Sequence, residues 1–86
     1  MNFIFSNHAL EQIQRRGLNK EKIEEILYSP DQVIEMEGQK IFQSIVPFIP
    51  DGNYLVRVFV NTEKEPNLII TVYKTSKISK YYEGKI

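Results

Sequence analysis

Hydrophobic and polar positions alternate with two different periods along this chain, and the change falls near Pro30. From "NHALEQIQRRGL" (7–18) to "IEEILYSP" (23–30) the apolar residues recur at helical spacing, with Ala9, Leu10 and Ile13 on one stripe and Ile23, Ile26 and Leu27 on another. Ser6 or Asn7 offers a side-chain oxygen to the free amides of a first turn, so a helix is expected from there through Arg16. Gly17 suits a left-handed stop, with Leu18 folding back on Ile13. Asn19 opens the second helix, Leu18 and Ile23 are spaced as a hydrophobic staple, and Pro30 bars its continuation.

After Pro30 the period is two. "QVIEMEGQKIFQSIV" reads as two strands joined near Glu37-Gly38, "PDG" at 50–52 as a turn, "YLVRVFVNT" as a strand, "EKEPN" as a turn and "LIITVYKT" as the last strand. "FIF" (3–5) has the composition of a short strand, and the tail "SKISKYYEGKI" of a short helix or a frayed end. The expected architecture is α+β, with two N-terminal helices packed on one face of a four-stranded antiparallel meander sheet.

Composition narrows the reading. Eighty-six residues fit one small domain, 1–86, whose core is near the lower limit for independent stability. The chain has no cysteine and one histidine, so disulfides and thiolate metal sites are excluded, and no metal or cofactor is expected. Its start lacks the charged and apolar regions of a secretory signal, and no stretch approaches the length that spans a bilayer, so a cytoplasmic protein is expected. Net charge is zero, yet residues 1–53 hold five basic and eight acidic groups while residues 54–86 hold six and three. That balance excludes a uniformly basic nucleic-acid binder and leaves room for a local anion site.

Candidate chemistry gathers in two places. With about 100° per residue, Gln12 and Arg15 fall within about 40° of His8 and Arg16 at about 80°, so all four share a polar flank beside the buried stripe. The plain alternative is a solvated helix face. In "YLVRVFV" an arginine sits mid-strand among hydrophobes, where its charge must reach water or a partner. If Val56, Val58 and Val60 face the helices together with Ile70 and Val72, then Arg57, Thr71 and Tyr73 share the other face; a one-residue slip would separate them. A cross-strand ion pair from Arg57 to Glu35 or Glu37, and a half-buried core role for Tyr73, are the structural alternatives.

"FSNHALEQIQRRGL", "IEEILYSP", "VRVFV" and "LIITVYK" together resemble the DUF4258 family of small bacterial proteins, over about residues 3–75. That family looks related to the RelE- and barnase-like ribonuclease toxins. The resemblance implies polar site positions at His8, Arg16, Arg57, Thr71 and Tyr73, an RNA substrate and a small antitoxin partner. Many members carry an arginine where this chain has Gln12; Arg15 is the nearest substitute.

A metal-independent endoribonuclease must move a proton from the ribose 2'-hydroxyl, protonate the leaving 5'-oxygen and neutralise the phosphorane. In this reading His8 transfers a proton, Arg16 and Arg57 hold the phosphate, and Tyr73 and Thr71 position it. The positive end of the helix dipole favours a neutral imidazole, hence a base. The second proton carrier is unassigned among Tyr73, Lys74 and a carboxylate. In the tail, Lys74, Lys77, Lys80 and Lys85 interleave with Tyr73, Tyr81 and Tyr82, a pattern suited to single-stranded RNA or simply to a soluble end. The competing class is a non-catalytic protein-interaction module using exposed Phe48, Ile49 and Phe59; self-association into a homo-oligomer is left open.

Overall fold

The computed structural model describes residues 2–84. Along the chain run β1 (Phe3–Phe5), α1 (Asn7–Arg15), α2 (Lys20–Tyr28), β2 (Gln32–Met36), β3 (Gln39–Phe48), β4 (Gly52–Asn61), β5 (Asn67–Thr75) and α3 (Ile78–Tyr81). Ser6 is the corner at which strand becomes helix. Its N–H donates to the Ile69 carbonyl at 3.0 Å, and its hydroxyl donates to the Ile70 carbonyl and accepts from the Ala9 N–H, each at 3.0 Å. At the other end of α1, Gly17 adopts φ +66°, the Leu18 N–H reaches back to the Ile13 carbonyl at 2.9 Å, and Leu18 is buried. This is the Schellman stop expected from "RRGL". Asn19 caps α2 by accepting from the Lys22 N–H at 2.7 Å.

The sheet corrects the expected four-stranded meander. It has five strands in the order β1-β5-β4-β3-β2, and β1 lies parallel to β5 with Phe3 opposite Asn67 and Phe5 opposite Ile69. The remaining neighbours are antiparallel, as expected. A three-residue strand pairing across sixty-odd positions leaves no periodic trace in the sequence, whereas each meander partner is its chain neighbour.

A second correction concerns β5. A bulge between Phe59 and Val60 pairs Phe59 with Thr71 and Val60 with Ile69, so Ile70 is the extra residue. Ile69, not Ile70, therefore joins Val72 against the helices. The core on that side unites Ala9 and Ile13 of α1, Ile23, Ile26 and Leu27 of α2, and Val56, Val58 and Val60 of β4. Ile41 and Leu55 are also buried but lie outside this cluster, because they alternate to the opposite face of the sheet. Among the described residues no helix is long and apolar enough to cross a membrane.

Candidate functional site

On the face turned away from α1 and α2, one cross-strand row is polar. Gln32 of β2 stands opposite Gln43 of β3, Gln43 opposite Arg57 of β4, and Arg57 opposite Tyr73 of β5. The pleat sends all four side chains to the same side, where directly opposed residues touch. They form a continuous hydrogen-bond chain. Arg57 donates from Nε to Gln43 Oε1 at 2.9 Å and from Nη1 to Tyr73 Oη at 2.8 Å. Gln43 Nε2 in turn donates to Gln32 Oε1 at 2.8 Å and to the Tyr81 carbonyl at 3.2 Å.

Arg57 is 7% exposed and Gln43 is wholly buried. Aromatic rings surround the guanidinium, with its carbon 4.5 Å from the Tyr81 centroid, 5.3 Å from Phe59 and 5.8 Å from Tyr73. Every one of these partners is neutral. The ion pairs among the described residues are Lys22–Glu25 and Lys40–Glu35, and neither reaches Arg57. Glu35 cannot serve, because its row (Glu35, Lys40, Val60) points to the helix side of the sheet. The structural alternative of a cross-strand ion pair is thus replaced by a cation held by dipoles and π-faces. Such partners offset desolvation only in part, each cation–π contact contributing about 0.5–2 kcal/mol. The positive charge stays uncancelled.

Thr71, opposite Phe59, shares the face of Arg57 and Tyr73 and meets α1 at the open edge of β5. Beyond Ile69, β5 has lost β1 as a neighbour, and α1 occupies that edge. Gln12 Oε1 accepts from the Val72 N–H at 2.9 Å and from the Thr71 hydroxyl. Thr71 is thereby committed to Gln12, which stands in for the missing strand. Gln12 was visible in the sequence only as one member of a polar flank. His8, Arg15 and Arg16 are exposed on α1 and its C-cap, and their side chains make no hydrogen bond or ion pair among the described residues. Ala9 and Ile13 pack on the helix-side core, while Gln12, one turn from His8 on the same flank, meets β5 at its edge.

The lysines divide likewise. Lys74, opposite Val56, points to the helix side, its ammonium 4.1 Å from the Phe48 centroid and 4.7 Å from that of Tyr54. Lys77 is exposed and begins α3; Lys85 lies outside the described residues. Tyr73 and Tyr81, expected as stacking platforms along an RNA track, have their rings on Arg57. Of the three hydrophobes proposed for a protein-binding face, Phe48 packs against the helix-side core and Phe59 stacks with Tyr73 on the other side. Ile49, 96% exposed, stands alone at the turn.

Gln32 and Gln43 carry little signal in the sequence, since glutamine on a strand ordinarily reads as surface. The available signal was the run "IFQSIV", where a polar residue interrupts hydrophobes at the position that alternation assigns to a covered face. Also unforeseen is a groove of about 550 Å³ between α2 and β3, lined by Glu21, Glu24, Glu25, Asp31, Tyr28 and Ile45 among others. No group of three or more histidine, aspartate or glutamate side chains among the described residues is arranged to hold a metal ion.

A family model described as Domain of unknown function (DUF4258) matches residues 5–74. No curated protein and no solved structure matches the chain.

Proposed function

The chain belongs to the DUF4258 family, and from that premise we propose that it is a small toxin-type endoribonuclease, cleaving RNA without a metal ion and controlled by a small antitoxin protein. The reading takes the family to be related to the RelE- and barnase-like ribonuclease toxins, a relationship proposed from the sequence motifs. The single observation that carries it is Arg57, a cation 7% exposed whose hydrogen-bond partners are a neutral amide and a phenol. An unpaired guanidinium in a partly desolvated setting attracts an anion more strongly than the same group in water, and its fork matches phosphate oxygens.

In this mechanism the ribose 2'-hydroxyl attacks the adjacent phosphorus. The bond to the 5'-oxygen breaks, and the products are a 2',3'-cyclic phosphate and a 5'-hydroxyl. His8 accepts the 2'-hydroxyl proton, water protonates the departing 5'-oxygen, and Arg57 stabilises the charge that builds on the non-bridging oxygens. Tyr73 holds Nη1 and so fixes the plane of the guanidinium. Arg15 and Arg16, exposed at the end of α1 about two turns from His8, steer the backbone. Gln12, on the flank of α1 that carries His8, bonds Thr71 and Val72 at the edge of β5, so the scissile phosphate is placed at that edge, between His8 and Arg57.

A non-catalytic interaction module is the second reading. What favours it is His8 itself, whose imidazole has no orienting partner among the described residues; catalytic histidines ordinarily have one. RNA incubated with the purified protein in chelator separates the two. On the nuclease reading, wild type cleaves, and His8→Ala and Arg57→Ala, both folded, each lower the rate by about 100-fold or more. Intact RNA with wild type at every salt concentration, together with stable capture of a protein partner, would establish the module.

A further inference from the structure

The last described segment does not leave the sheet; it crosses the polar row. Tyr81 lays its ring over the guanidinium of Arg57, and its carbonyl accepts from Gln43. Two residues on, Gln32 grips the Glu83 backbone from both sides, donating from Nε2 to the carbonyl at 2.5 Å and accepting from the N–H through Oε1 at 3.0 Å. Tyr81 closes over Arg57 from this side while Phe59 and Tyr73 flank it, and at 7% exposure the guanidinium is out of a nucleotide's reach.

The segment is nevertheless weakly anchored. α3 is four residues long, has no side-chain cap, and buries none of its residues. Among the described residues its polar hold on the sheet is hydrogen bonds to two glutamines and one ring on a cation, with Ile78, Tyr81 and Tyr82 only half-buried. Elements of that kind open locally at low free energy.

We infer that residues 78–83 form a displaceable strap over Arg57, occupying in the free protein the place that one unit of single-stranded RNA takes when it binds. The chemistry of the exchange is close. A nucleobase offers the guanidinium the same planar π-face that Tyr81 provides, and the adjoining phosphate adds the negative charge that the strap lacks. A base locked in a duplex has no free face to offer, so the exchange selects unpaired RNA. This inference rests on the proposal that Arg57 is the phosphate-binding cation.

Binding of a short fluorescent single-stranded RNA, followed by anisotropy at low salt, tests both. Gln32→Ala removes the grip on Glu83, and Tyr81→Ala removes the ring; both residues are only half-buried, so the fold is retained. A strap that is closed most of the time lowers apparent affinity by the fraction of molecules open. Each substitution is therefore expected to tighten binding by about threefold to tenfold, and adding Arg57→Gln to either abolishes the gain. If both variants bind as wild type does or more weakly, while Arg57→Gln alone destroys binding, the strap is refuted and the phosphate site stands. If Arg57→Gln binds as well as wild type, the phosphate site itself is refuted, and the strap with it.

Discussion

Arg57 has no carboxylate in its row, because the pleat sends Glu35 to the other face and the residues opposite are Gln43 and Tyr73. A residue kept for the fold alone would be served better by a counter-ion or by a hydrocarbon of similar shape. Replacing Arg57 with methionine removes the cost of the buried charge and leaves Gln43 Oε1 and Tyr73 Oη without their donor. These changes oppose one another at about 1–3 kcal/mol per unsatisfied group. The melting temperature of Arg57→Met is therefore expected within about 5 °C of wild type, while affinity for RNA collapses. A much larger fall in melting temperature would assign Arg57 to the fold. The arginine was legible in the sequence because "YLVRVFV" places a charge where alternation demands burial. The neutrality of its partners was not, since it depends on the register of three separate strands.

At the level of elements, the β5 edge is the place where helix and sheet are joined. β1 covers only Asn67 to Ile69, and Gln12 takes over by accepting from Val72 and Thr71. Gln12→Ala leaves a strand N–H without a partner and is expected to cost about 1–3 kcal/mol in denaturant unfolding. Gln12→Glu keeps an acceptor there and should cost much less. Equal losses for the two would show that the contact is packing alone. The stop of α1 gives a second prediction. Gly17 at φ +66° has nothing within 4 Å of an added Cβ, so Gly17→Ala suffers only the left-handed backbone penalty, about 1–2 kcal/mol in the same unfolding measurement. Both helix starts and the turn at Gly17 could be read from local chemistry, as could the meander. The β5 bulge and the parallel pairing of β1 could not, because each is decided by partners far away in the chain.

Over the whole molecule, the sheet is covered unequally. α1 and α2 bury one face behind a broad apolar core, while the other has a few apolar residues such as Ile41 and Leu55, the polar row and a C-terminal crossing. The expected site residues follow the same division: Arg57 and Tyr73 on the polar face, Lys74 toward the helix side, and His8, Arg15 and Arg16 on α1. Sequence periodicity could place each residue on its element and face, but not the α1 flank relative to the edge of β5, which depends on where β1 ends. The central claim is that the charge on Arg57 is reserved for an RNA phosphate. The most direct measurement is the NMR signal of its Nε–H during titration with a short single-stranded RNA at low salt. A progressive shift that saturates with binding and reverses as salt is raised is the expected result. A signal that stays in place while RNA binds elsewhere on the protein would contradict it.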